Sequence, residues 1–239
     1  MAQVFSRNAN TLARVSLVCL IAAPGLLVYA LSTMTRSSYE TKVDIPMEQP
    51  VPFSHEHHVN ELGIDCRYCH TTVEKSSFAG IPPTHTCMSC HSQIWTNSPL
   101  LEPVRQSYST GKPLQWTRVN SVPDFVFFDH SIHTNRGINC NICHGPVQQM
   151  QITAKSKTFF MSWCLNCHRN PENYVRPRED VFTLYTKFRA PESLTPEERA
   201  LRLGQDYRRT PEELARGRRL LKQYGVDKDQ ITDCWICHR

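Results

Sequence analysis

Ten of the eleven cysteines fall in five Cys-x-x-Cys pairs, and a histidine follows each pair directly. The units are Cys66/Cys69/His70, Cys87/Cys90/His91, Cys140/Cys143/His144, Cys164/Cys167/His168 and Cys234/Cys237/His238. Paired cysteines serve disulfides, zinc or cofactor attachment. A disulfide has no use for the adjacent histidine, and a two-residue gap rarely suits a structural bridge. Zinc knuckles are completed in twos or with a His pair, which leaves one of five units over. The pattern with histidine is the attachment signature of c-type haem, in which two thioethers hold the vinyl groups and the next imidazole lies under the iron. The reading is five covalently bound haem c, with ten cysteines as attachment points and His70, His91, His144, His168 and His238 as proximal ligands. Cys19 stands alone in an apolar run and reads as a small hydrophobe.

The sixth iron position decides between electron transfer and substrate chemistry. Phe53-Ser-His55-Glu-His-His58 precedes the first unit and Phe128-Asp-His130-Ser-Ile-His133 precedes the third. The i,i+3 spacing puts both imidazoles of a pair on one helical face, within reach of two adjacent haems. His55, His58, His130 and His133 are therefore expected as distal ligands. His57 points off that face, and neither it nor His85 has a counterpart in the repeat. Four distal histidines leave one haem short. Met161, three residues before Cys164, is the expected thioether ligand, with Met150 and Met47 as alternatives; methionine raises the potential relative to histidine.

The elements that must position these groups follow from the rest of the chain. Residues 1–36 form a cytoplasmic N-terminus and membrane span: Arg7 and Arg14 precede Val15–Leu31, an uncharged run of roughly 26 Å as a helix. Pro24 and Gly25 lie mid-span, which a membrane helix tolerates. Ala30-Leu31-Ser32 would pass as a signal-cleavage site, but the run is long for a signal, and the reading is an uncleaved signal-anchor. Basic residues before the span place the haem region on the periplasmic side of a bacterial inner membrane. Residues 37–52 read as a proline-bearing linker. The His pairs of the repeat are offset by 75 residues and the Cys pairs by 74. This gives two tandem dihaem modules, 53–123 and 124–185. Residues 186–239 form a helical extension carrying the fifth haem. Thr195-Pro-Glu-Glu and Thr210-Pro-Glu-Glu each open a helix, the second predicted over Pro211–Tyr224 with a stop at Gly225. The fold class is mainly α and irregular, with porphyrins supplying much of the core.

The formal charge is +5. Each ferric haem with its propionates contributes about −1, which brings the loaded chain near neutrality and leaves nucleic-acid binding without support.

FSHEHHV (53–59), GIDCRYCH (63–70), AGIPPTHTCMSCHSQIW (79–95), DFVFFDHSIH (124–133) and WCLNCHR (163–169), with the anchor and the final CWICH, resemble the pentahaem subunit of alternative complex III, a quinol:electron-acceptor oxidoreductase. The paired-histidine modules are also similar to small c7/c3-type multihaem cytochromes. The resemblance implies a haem subunit seated on an iron–sulfur subunit beside quinol-oxidising membrane subunits. It implies electrons leaving to a monohaem cytochrome c or a terminal oxidase, with no catalytic site in this chain. Two other classes fit less well: a self-sufficient single-anchor quinol dehydrogenase, and a multihaem enzyme reducing a small nitrogen or sulfur species. The latter needs an open iron, often with lysine as proximal ligand, and every motif here ends in histidine.

Overall fold

The protein is represented by a computed structural model that describes residues 4–182, 195–202 and 207–238. It divides into two units at Val43/Asp44, inside the segment read as a linker. The expected module boundary at 185/186 lies outside the described residues.

The first unit is built on α1 (Ala9–Arg36), with a single turn, α2 (Ser38–Thr41), behind it. α1 has no acidic residue in its first turn, carries Pro24 inside, and buries none of its residues. It is long and apolar enough to cross a membrane.

Among the described residues the second unit is helical turns and loops, relieved by one isolated antiparallel bridge between Pro46 and Ala154. Residues 44–49 are tied into it: Asp44 N–H donates to Lys155 O at 2.8 Å, and Gln49 exchanges two hydrogen bonds with Thr117. Every Cys-x-x-Cys sits on a helical turn. α3 (Cys66–Cys69), α7 (Cys140–His144) and α11 (Cys234–Cys237) begin at the first cysteine, with Asp65, Asn139 and Asp233 at the preceding cap position. α4 (Thr84–His91) and α8 (Met161–Arg169) begin one turn earlier. The local structure thus sorts the five motifs into two types, and the fifth belongs with the first and third.

The extra residue of the first module has a structural expression. In the second module the distal pair rides on an α-helical turn, α6 (His130–Asn135), and His133 O accepts from Ile138 N at 3.0 Å. In the first module Glu56–Glu61 is a π-helical turn, and His58 O accepts from the equivalent Ile64 N at 3.1 Å. One added residue widens the turn and leaves both ends in register, as a π-bulge does. Gly63 (φ +71°) and Gly137 (φ +79°) then turn the chain into the motifs; at Gly137 a side chain would run into Arg176 O.

The extension forms α9 (Pro196–Arg202) and α10 (Pro211–Gln223), each opened by the expected threonine–glutamate capping pair, with Gly225 at φ +64° behind α10. α10 lies on the turn Pro171–Asn173, and Gly217 permits the approach because a methyl group there would meet Glu172 O. Beside it Arg209, 3% exposed, pairs with Glu197 at 2.6 Å and donates to Glu172 O and Val175 O. Arg176, 5% exposed, lies 3.6 Å from the same Glu197.

Candidate haem-binding sites

Three of the four distal-type histidines lie across from a motif histidine. The ring centroids of His58 and His91 are 6.2 Å apart, those of His130 and His144 6.4 Å, and those of His133 and His168 6.2 Å. His55 interacts with His70 first among the motif histidines, then with His144. His57 is exposed, paired with Glu61 at 2.7 Å and stacked on Trp95. His85 is exposed beside Tyr108.

The second ring nitrogen is committed in nearly every case. Nδ1 donates to a backbone carbonyl from His58 (Ser54, 2.8 Å), His70 (Gly80, 2.7 Å), His91 (Ile94, 3.1 Å), His130 (Ser77, 2.8 Å) and His133 (Asp129, 2.6 Å). His168 donates to Ile231 O at 2.6 Å and His238 to Phe125 O at 3.2 Å. His55 Nδ1 bonds Thr153 Oγ1 at 3.0 Å. An Nδ1–H given to a carbonyl fixes the tautomer that leaves Nε2 with its lone pair, the form in which imidazole ligates a metal. Burial favours the neutral form at four rings. It lowers His55 and His144 to about 4, helped by the neighbouring imidazoles, and it also lowers His58 and His133.

The sequence makes no distinction among the ten attachment cysteines, but the structure does. Cys66, Cys69, Cys87, Cys140, Cys143, Cys164, Cys167 and Cys237 are half-buried, as suits thioethers set into a core. Cys90 and Cys234 differ and are exposed. Cys90 lies near the end of α4, three residues on from the half-buried Cys87, and its neighbour Ser89 is also exposed, with Oγ 3.9 Å from the Cys90 Sγ. Cys234 opens α11, three residues before the half-buried Cys237. Burial therefore does not mark these two as attachment points; their place in the motif does, one helical turn from a partner thiol. Among the enclosed thiols, burial pushes Cys143 and Cys167 upward, Cys167 to about 12.

Two phenylalanines orient the distal pairs. Phe53 stacks on His58 (4.5 Å, 23°) and meets His55 edge-on (5.0 Å, 89°). Phe128 repeats this with His133 (4.6 Å, 27°) and His130 (4.7 Å, 89°). In the sequence these two residues mark only the repeat. Met161 opens α8 and is 63% exposed, and Cys164 one turn on lies within electrostatic range of Cys237.

The chain is 36% identical over 149 residues to a protein of Nitratidesulfovibrio vulgaris named "Menaquinone reductase, multiheme cytochrome c subunit", across 54% of this chain and 70% of that one. The chain belongs to this family of multihaem cytochrome c subunits. No protein-family model matches it. A multihaem cytochrome c carries its haem covalently, and the cytochrome's geometry suits that load. Two iron–nitrogen bonds of about 2 Å, close to the usual metal–imidazole length, plus the two ring radii span roughly 6.3 Å between centroids. The three opposed pairs have that separation. Opposed imidazoles at such a distance would hold an iron from both faces, and an iron so held would have no position for substrate.

Proposed function

We propose that this cytochrome is a membrane-anchored pentahaem relay that passes electrons from quinol oxidation toward a periplasmic acceptor. The ten motif cysteines form the thioethers, the five motif histidines are the proximal ligands, and His55, His58, His130 and His133 are the distal ligands of four haems. Met161 takes the fifth. The observation that carries the reading is the set of histidine pairs at 6.2–6.4 Å, each with Nδ1 of at least one ring held by a backbone carbonyl. Bound haem c supplies one-electron redox chemistry. The chain's own residues orient the rings, keep their planes fixed and fill the coordination sphere, so the protein relays and does not transform a substrate. The two dihaem modules, 53–123 and 124–185, and the extension divide the load as two, two and one. α1 serves as the anchor, with the haem unit on the periplasmic side.

The resemblance to alternative complex III supports an iron–sulfur subunit and quinol-oxidising membrane subunits as neighbours, and a monohaem cytochrome c or terminal oxidase as acceptor. Each quinol releases two electrons and two protons, and the electrons cross this chain singly. A second direction is favoured by the relative's name, which is that of a menaquinone reductase. A ligand-saturated relay conducts either way, and the potentials of its partners set the sign. A pyridine haemochrome assay should return five haems per chain, and the ferrous protein should not bind carbon monoxide at its bis-histidine sites. Stoichiometric carbon monoxide binding at such a site would refute the relay. Reduction of the intact complex by a menaquinol analogue, against reduction by a low-potential periplasmic cytochrome, decides the direction.

A further inference from the structure

Within the first module the first and second sites adjoin. Tyr68, inside the first motif, hydrogen-bonds Ser89, inside the second, at 2.9 Å, and His55 and His58 lie on the same turn. Within the second module the third and fourth sites adjoin through His130 and His133 on α6, which face His144 and His168. The fourth and fifth adjoin because His168 Nδ1 donates to Ile231 O, three residues before Cys234, and Cys164 neighbours Cys237.

The modules themselves meet through their first members. Cys66 of the first site and Cys140 of the third pack on the same side chain, Val59. The contact is reciprocal. The second module's distal turn is held by the loop that follows the first motif: His130 N–H and Nδ1 both donate to Ser77 O, Thr134 Oγ1 to Val73 O and Asn135 Nδ2 to Glu74 O. The first module's distal turn is held by the loop that follows the third motif: Glu56 N–H donates to Met150 O, and His55 bonds Thr153. Each module thus fixes the other's distal histidines, as in a head-to-head pair.

We infer that the five sites lie in one row in the order second, first, third, fourth, fifth, so that His91 and His238 mark its two ends. The order rests on the pentahaem reading. The two exposed motif cysteines, Cys90 and Cys234, belong to the second and fifth motifs, the sites that this order puts outermost. One electron crosses at each step, one site being oxidised as its neighbour is reduced, with no bond or proton exchanged. The redox centres of neighbouring subunits therefore approach the Cys87–His91 end and the Cys234–His238 end, and the first motif met in the sequence lies in the interior.

Ligand exchange in the full-length, haem-loaded protein tests the order. Methionine at a distal position raises that site's potential. Its neighbours then titrate beside an already reduced iron, and their midpoints fall. In the row inferred here His55→Met should lower the midpoints of two other haems and His58→Met of one, counted by EPR-monitored titration. The reverse count, one and two, is what a row following the sequence would give, and it overturns the inference, as do equal counts. Iron positions from cryo-electron microscopy of the native assembly give an independent check on variants that load poorly. The expected image has the first and third irons as neighbours; five irons with the second beside the third refute the order alone. A haemochrome count below five refutes the pentahaem reading itself.

Discussion

Coordination alone would not set the planes of the proposed distal imidazoles, because Phe53 and Phe128 each stack on one member of a pair and meet the other edge-on with almost identical geometry. An aromatic contact of this kind contributes about 0.5–1.5 kcal/mol beyond its buried area, which is enough to bias a ring rotation. Phe128→Ala should therefore keep full haem content while shifting or broadening the low-spin EPR signals of two haems, and Phe128→Tyr should restore them; an unchanged spectrum in the alanine variant would remove the orienting role. Met161 calls for a different measurement. Met161→Ala should abolish a far-red thioether-to-iron charge-transfer band and leave the histidine-ligated haems untouched, and a band that survives assigns the thioether elsewhere. The histidines and cysteines were legible in the sequence because their spacing is local. That same spacing says nothing of exposure, so Cys90 and Cys87 look alike until the fold sets one outside and the other in. The phenylalanines were visible as repeat markers, but their role was not, since a Phe two residues before a His looks the same whether it packs in a core or on a ligand. Which motif histidine each distal histidine faces was equally hidden: His133 and His168 are separated by 35 positions that carry no pairing code.

At the level of elements, caps and turns were read well where a single residue type dictates the backbone. The threonine–glutamate pairs opened α9 and α10, and Gly225 ended the latter. The π-helical turn at Glu56–Glu61 was announced by the one-residue mismatch between the two copies, though only the structure shows that the surplus is taken up within the turn. The buried ionic joint between extension and second module was not foreseen. Arg209 donates to Glu197 and to two backbone carbonyls from positions far apart in sequence, and charged residues in a basic stretch ordinarily read as solvated. Removing one member of a buried pair leaves an uncompensated charge and costs about 3–5 kcal/mol. Arg209→Ala should lower thermal stability by that order and loosen the extension, reported by limited proteolysis. Arg209→Lys should rescue little, because an ammonium lacks the planar fork that serves a carboxylate and two carbonyls together. Wild-type stability in both variants would show that the joint is not needed.

For the whole molecule, the decisive quantity is how little apolar side chain is buried. Among the described residues nine hydrophobic side chains are buried, and they are scattered from Val51 to Tyr224 with no continuous core. A chain of this length normally surrounds a single large apolar body. Here the cysteine and histidine turns are arranged around the spaces between opposed imidazoles, so on the proposed reading covalent haem would be the hydrophobic body on which the second unit is assembled. Folding and maturation are then one process. Chain produced without haem attachment should lack the fixed tertiary structure of the loaded protein, giving rapid proteolysis of residues 44–239 and a broad, non-cooperative melt, whereas α1 should still partition into membranes because none of its residues depends on burial within its own unit. Limited proteolysis of membrane fractions with and without haem supply separates the two units directly. A protease-resistant haem-free fragment beginning near Asp44 would mean that the polypeptide carries its own fold; its loss, with the anchor retained, is the outcome expected of a protein whose core is its cofactor.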